Sequence, residues 1–168
     1  MTKMEFWQLM DVFRKDSNGD NEIFLQSAQE YLSSCSIEDV CYFGGYLGAY
    51  MEAVNECVWV DMACKVINGY VSDDTGLYFA LWLISQGEEV LVKSLIDPDS
   101  LAEVSNIPFG NAEFEMLMSI TYELIGEEMD IDKVSSFQRE CLEIITPDIH
   151  YKNNDKYGNY EYFEEAME

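Results

Sequence analysis

The run Ser72-Asp73-Asp74 combines residue types that can do chemistry. Two neighbouring carboxylates that face a cleft can bind a cation or act as a general base. The same residues are also typical of a helix start, because serine caps free backbone N–H groups and aspartates interact favourably with the helix dipole. The sequence favours the helix cap. A cleft formed by Ser72, Asp73, Asp74 and Trp82, in a small enzyme or ligand-binding domain, is the alternative.

The polar segment that follows the first predicted helix resembles the beginning of a calcium-binding loop. Asp16, Asn18 and Asp20 place oxygen atoms at loop positions 1, 3 and 5, as calcium sites require. Position 6 is Asn21 instead of glycine, and position 12 is Ser27 instead of glutamate. These departures favour an ordinary turn between helices, with divalent-cation binding at Asp16, Asn18 and Asp20 as a further alternative.

His150 is the only histidine, and it lies in a polar, tyrosine-rich segment. Ser-His-Asp and Cys-His mechanisms would have to use it. The sequence contains no phosphate-binding loop, dinucleotide-binding turn or zinc-protease helix motif. We therefore predict no catalytic residue and no cofactor, interpret His150 as a surface residue, and favour a protein that is not an enzyme.

Acidic residues are in excess along the whole chain. The sequence has 33 Asp and Glu residues and nine Lys and Arg residues, which gives a net charge of −24. The net charge is −7 over residues 1–60, −6 over residues 61–110 and −11 over residues 111–168. Direct nucleic-acid binding needs basic residues that neutralise phosphates, and an anionic membrane surface would repel this chain. The charge therefore argues against both and favours a basic protein partner.

The densest acidic patch comprises Glu127, Glu128, Asp130 and Asp132. We interpret the chain as a non-enzymatic interaction domain that uses this patch against a basic protein. An inhibitor, an immunity protein for a toxin or a mimic of nucleic-acid charge would each suit the composition. Complementary charge would make such an association fast and sensitive to salt. A charge that only keeps the protein in solution is the competing interpretation.

The cysteines indicate a reducing compartment. There are five of them, an odd number without CxxC spacing, which is typical of free thiols in the cytoplasm. The first residues form an amphipathic pattern instead of a secretory signal. The longest apolar run, residues 77–84, has eight residues and is too short to cross a bilayer. We expect a cytoplasmic protein without membrane contact.

Apolar residues recur at helical spacing through most of the chain, and no stretch alternates as a β-strand does. The pattern predicts an all-α fold of about seven or eight helices, with the helix over residues 73–86 at its centre. The first helix begins at the capping box Thr2–Glu5. Further helices are expected from Ser36 onward and over residues 21–32, 58–67, 73–86, 88–96, 112–125 and 133–145.

Three glycines, Gly44, Gly45 and Gly48, interrupt the third predicted helix. Each costs up to about 1 kcal/mol relative to alanine in a helix, so they are reasonable only where another helix packs closely. We expect one helical domain over residues 1–147, followed by a polar, tyrosine-rich tail over residues 148–168 that is either docked or frayed.

Several motifs, in order along residues 4–130, resemble the bacterial domain-of-unknown-function family numbered 4240. They are Glu5-Phe6-Trp7-Gln8-Leu9-Met10-Asp11, residues 67–74, Tyr78-Phe79 with residues 82–87, residues 97–102, and Tyr122-Glu123 with residues 126–129. The resemblance implies a bacterial, cytosolic helical domain and no particular activity. Relatives typically carry arginines where this chain has Ala80 and Glu88, so a site that used those arginines would be altered here.

Overall fold

The computed structural model describes residues 1–126 and 130–152 of the chain. These residues form eight α-helices and two 3-10 helices without a β-strand, which confirms the predicted all-α class. The α-helices are α1 (Lys3–Ser17), α2 (Asn21–Leu32), α3 (Ile37–Asn55), α4 (Val58–Asn68), α5 (Asp73–Ser85), α6 (Glu88–Ile96), α7 (Met116–Ile125) and α8 (Ile131–Ile145). The 3-10 helices are Pro98–Glu103 and Thr146–Asp148. Of the expected tail, residues 148–152 are described, and the rest lies outside the described residues.

Local capping residues set most helix boundaries. In α1 the Glu5 N–H donates to the Thr2 hydroxyl, and the Thr2 N–H donates to the Glu5 carboxylate at 2.7 Å, which confirms the capping box. The Asp20 carboxylate accepts the first free N–H groups of α2. Gly69, with φ +83°, ends α4 in the left-handed conformation that glycine adopts easily. Short-range sequence signals therefore predict these ends well.

Helix α3 contacts more of the fold than any single sequence signal suggested. It packs against α1, α4, α5, α7 and α8. A Cβ atom added at Gly45 would lie 3.0 Å from Cys141 Sγ, and one added at Gly48 would lie 2.9 Å from the Gln138 side chain, so both glycines face α8. Gly44 faces Thr121 of α7 in the same way. The expected close approach of another helix to the three glycines is confirmed.

The core combines the apolar run of α5 with aromatic side chains of α1 and α3. Every residue from Phe79 to Ser85 is buried, as the prediction of a central helix requires. Phe6 and Trp7 pack against Tyr50, and the Trp7 indole N–H donates to the Tyr50 hydroxyl at 2.9 Å. This bond satisfies the polar atoms of two side chains that are 5% and 1% exposed.

Helix α7 begins at Met116, so the prediction of a start at Ala112 was wrong. The Asn68 side chain accepts a hydrogen bond from the Ala112 N–H at 2.8 Å and donates one to the Ala112 carbonyl at 3.3 Å. The Phe114 N–H donates to the Tyr78 carbonyl at 3.0 Å. Because Asn68 and Tyr78 already satisfy the backbone polar groups of Ala112 and Phe114, these residues do not form the first turn of α7.

All five cysteines are free, and four of them are buried. Within the described residues, no helix combines the length and apolarity that a bilayer span requires.

Candidate functional site

The three residues Ser72, Asp73 and Asp74 do form a helix start. Ser72 Oγ accepts the Thr75 N–H at 3.3 Å, and both aspartates lie exposed in the first turn of α5. Ser72 and Asp73 also line a cavity of about 430 Å³ between α5, α4 and the end of α3. The three residues therefore cap α5, as the sequence favoured, and two of them also line a cavity.

Asp61 is the residue of this cavity that sequence reasoning missed. It lines the cavity from α4, is partly buried, and faces Gly76 of α5. Burial raises its pKa above the ordinary value of 3.8. In the sequence Asp61 is one acidic residue among many, and only the packing of α4 against α5 reveals its burial. The cavity thus joins two carboxylates from separate helices.

Trp82 lines a different cavity, so the four predicted cleft residues do not share one cleft. This second cavity has a volume of about 580 Å³ and polar walls that include Arg14, Gln86 and Asn106. Trp82 itself is only 4% exposed.

Asn18 and Asp20 also line this second cavity, but the structure gives them capping roles. Asn18 ends α1 with φ +48°, and Asp20 caps α2. Asp16 is an exposed residue near the end of α1. Among the residues that the structure describes, no group of three or more His, Cys, Asp or Glu side chains is placed to hold a metal. Calcium binding here stays a prediction that a titration can test.

Carboxylates from two parts of the chain gather around Tyr78. Its hydroxyl donates to Glu115 at 3.0 Å. The pKa of Tyr78 is raised by this hydrogen bond, then by burial, and further by the negative charges of Glu115, Asp74 and Glu113. Glu123 lies two turns further along α7 and is exposed, like Glu115. We call Asp74, Glu113, Glu115 and Glu123 the acidic band.

The predicted acidic patch is only partly within the described chain. Glu127 and Glu128 lie outside the described residues. Asp130 is exposed and caps α8, where its carboxylate accepts the Asp132 N–H at 3.1 Å. Asp132 is exposed in the first turn of α8. Both residues follow the end of α7 and thus come next in the chain after the acidic band.

Basic residues elsewhere neutralise acidic ones. Lys3 pairs with Asp148 and Glu88, Arg14 pairs with Asp11, and Lys93 pairs with Glu103. Within the described chain no salt bridge reaches a member of the acidic band. Asp74, Glu115 and Glu123 are exposed, whereas Glu113 is partly buried and accepts a hydrogen bond from the Tyr70 hydroxyl at 3.4 Å.

An apolar groove of about 500 Å³ lies on another surface, between α4, the 3-10 helix Pro98–Glu103 and the loop that follows it. Its walls include Trp59, Met62, Val66, Leu101, Phe109 and Lys152. Val66 and Phe109 are 76% and 74% exposed. Lys152 Nζ lies 5.1 Å from the centre of the Trp59 ring, within the range of a cation–π interaction. Sequence reasoning missed this groove, since its three walls are far apart in the chain.

Comparison with known proteins gives a family for the chain. No curated protein and no solved structure matches it. A family model described as "Protein of unknown function (DUF4240)" matches residues 1–125, which reach from the N-terminal methionine to the end of α7. The match contains the acidic band, both cavities and all of the apolar groove except Lys152. It confirms the resemblance seen in the sequence motifs, and the chain belongs to the DUF4240 family.

Proposed function

We propose that this protein is a non-enzymatic interaction domain whose acidic band docks a basic protein. The observation that carries the proposal is the excess of acidic residues in the part of the chain that contains the acidic band. From residue 66 to residue 132 the chain has 14 acidic residues and a single basic one, Lys93. Lys93 is paired with Glu103, so it does not offset the acidic band. Asp130 and Asp132, both exposed, follow α7 in the chain and add to this acidic stretch.

A partner of this kind would carry lysines and arginines on the surface that meets α7. Inhibition of a basic enzyme, immunity to a basic toxin and mimicry of nucleic-acid charge all use such a surface. The long-range attraction would raise the association rate and make it fall steeply with salt. The free thiols of all five cysteines agree with a cytoplasmic location in a bacterium, which we include in the proposal.

The test uses a fluorescent oligolysine peptide as a defined cationic probe, with binding followed by anisotropy at physiological salt. One variant combines Asp74→Lys, Glu115→Lys and Glu123→Lys. A control variant combines Glu30→Lys, Glu38→Lys and Glu89→Lys, which are exposed positions on α2, α3 and α6. Each substitution adds two positive charges, so both variants have a net charge of −18 instead of −24.

The expected loss follows from screened Coulomb interactions. Reversing a charge at about 7 Å from a cation costs roughly 0.5 kcal/mol at a water-like dielectric constant and physiological ionic strength. Three reversals in the band should therefore weaken peptide binding about 10-fold. The control variant should lose much less, because its reversed charges lie outside the acidic band. Equal losses in the two variants would show that only total charge matters, and the proposal would fail.

The partly buried carboxylate of Asp61 supports a second candidate, a cleft for a small organic cation. Asp61 and Asp73 line the cavity of about 430 Å³ from two helices, and the raised pKa of Asp61 marks a group that a bound cation would favour in its charged form. A panel of small amines, screened by thermal shift against wild type and Asp61→Asn, tests it. Stabilisation of the wild type alone supports a cation cleft, and no shift with any amine argues against it.

A further inference from the structure

The apolar groove exposes large hydrophobic side chains to solvent. Its most exposed wall residues, Val66 and Phe109, are large apolar side chains with about three quarters of their surface in contact with solvent. Apolar surface of this kind, gathered in one concavity, is a common feature of binding sites for protein segments.

The chain itself runs into this groove. Tyr151 is partly buried, and its hydroxyl donates to the Ala53 carbonyl at 3.1 Å, at the end of α3. The next residue, Lys152, forms part of the groove wall and lies over the Trp59 ring. Residues 153–168, which the structure does not describe, therefore start from the edge of the groove.

This segment is rich in the side chains that an apolar groove accepts. Tyr157, Tyr160, Tyr162 and Phe163 lie within seven consecutive residues. A tyrosine or phenylalanine side chain can bury roughly 150–250 Å², and a tyrosine can do so while its phenolic hydroxyl stays at the solvent boundary. We propose that residues 157–163 of the same chain occupy the apolar groove and cover Trp59, Val66 and Phe109.

The covalent link makes this occupant the favoured one. Residues 153–157 span at most about 18 Å when extended, enough to reach along the groove from Lys152. A short tether of this kind gives an effective concentration in the millimolar range. The segment would then cover the groove in most molecules if the same sequence, as a free peptide, bound with a Kd of about 0.1 mM or tighter.

The groove differs in character from the acidic band. Its walls carry one acidic residue, Asp99, and one basic residue, Lys152, so they do not select a cationic partner. Residues 153–168 carry five acidic residues and one lysine, Lys156. Their aromatic residues would enter the groove while most of their charges remain in solvent. This inference is independent of the proposed docking function.

The test uses the full chain with Tyr157, Tyr160, Tyr162 and Phe163 all replaced by serine. Trp7 and Trp82 are 5% and 4% exposed, whereas Trp59 is partly exposed, so acrylamide quenching of tryptophan fluorescence reports mainly on Trp59. We expect a larger quenching constant in the serine variant than in the wild type. Tyr122→Ser, at an exposed position of α7, is the control and should leave quenching unchanged.

A peptide of residues 153–168 provides the second measurement. It should bind the serine variant with a Kd on the order of 0.1 mM and bind the wild type at least about ten times more weakly, because the wild-type groove is already filled. Adding Val66→Ser and Phe109→Ser to the serine variant should abolish binding without unfolding the chain, since both positions are highly exposed.

Three results would overturn the proposal. One is equal quenching of Trp59 in the wild type and the serine variant. Another is equal affinity of the two proteins for the peptide. The third is a wild-type dimer, measured by light scattering, that Phe109→Ser dissociates while the serine variant remains dimeric, because a second copy would then fill the groove.

Discussion

The close packing of α3 on α8 predicts opposite effects for two Gly→Ala substitutions. A Cβ at Gly45 would lie 3.0 Å from Cys141 Sγ and 3.0 Å from the Phe137 carbonyl carbon. A Cβ at Gly76, within α5, would meet only Asp61 Oδ1, at 3.8 Å. Both substitutions reduce the conformational entropy of the unfolded chain, and only the first forces two helices apart.

The magnitudes follow from these distances. Carbon and sulfur atoms pack comfortably at about 3.5–4.0 Å, so α8 must move away from α3 by roughly half an ångström or more in Gly45→Ala. Overpacking of this kind costs about 1–3 kcal/mol, and the better helix propensity of alanine returns about 1 kcal/mol. We therefore expect Gly45→Ala to destabilise the protein by up to about 2 kcal/mol. Gly76→Ala should stabilise it by about 0.4–1 kcal/mol.

Urea unfolding followed by far-UV circular dichroism measures both effects, and thermal melts provide a check. For a chain of this length, 1 kcal/mol corresponds to a change in Tm of about 2–4 °C. Gly48→Ala is an internal control, because the three atoms nearest to its Cβ all belong to the flexible Gln138 side chain, which can move away. If the Gly45→Ala and Gly76→Ala variants had equal free energies of unfolding, the close packing of α3 on α8 would be refuted.

Three other substitutions test the core, the α7 boundary and the buried carboxylate. Tyr50→Phe leaves the buried Trp7 indole N–H without its acceptor and should reduce the free energy of unfolding by about 1–3 kcal/mol, whereas Tyr122→Phe at an exposed position should change it little in the same urea titration. Asn68→Ala removes both hydrogen bonds to the Ala112 backbone and should cost about 2 kcal/mol or more, with faster amide hydrogen exchange at Ala112; unchanged exchange there would contradict the role given to Asn68. Asp61→Asn should stabilise the protein at pH 7. The pKa of Asp61 is higher in the folded protein than its ordinary value of 3.8, so ionisation of Asp61 destabilises the fold as the pH rises from about 3.8 through the folded-state pKa. Urea titrations at several pH values should show that gain disappearing towards pH 4, and a gain that does not depend on pH would exclude the titration of Asp61 as its cause.

Sequence patterns predicted the parts of the fold that depend on neighbouring residues. The capping box at Thr2 and Glu5, the stop at Gly69 and the start at Ser72 all act within one helical turn, so their residue types are sufficient. The glycines of α3 gave a correct expectation of close packing but could not identify α8 as the partner. The start of α7 was wrong because its determinant, Asn68, is distant in sequence from Ala112 and acts through a side chain.

The candidate sites also differ in how far local sequence patterns could predict them. Asp74 and Asp132 could be recognised as exposed acidic residues from composition and capping patterns. The grouping of Asp74 with Glu113 and Glu115 depends on the packing of α5 beside the segment before α7, which no local pattern encodes. The apolar groove and the burial of Asp61 depend on contacts between elements in the same way, so they became visible only in three dimensions.

The pairing of α3 with α8 also affects how the protein emerges from the ribosome. Phe137 and Cys141, which cover Gly45, are synthesised about 90 residues after it. At typical translation rates of about 5–20 residues per second, α8 is synthesised roughly 5–20 s after the glycines of α3 on which it packs. During that interval the nascent chain presents an incomplete bundle, and a chaperone that shields α3 would act at this stage of synthesis.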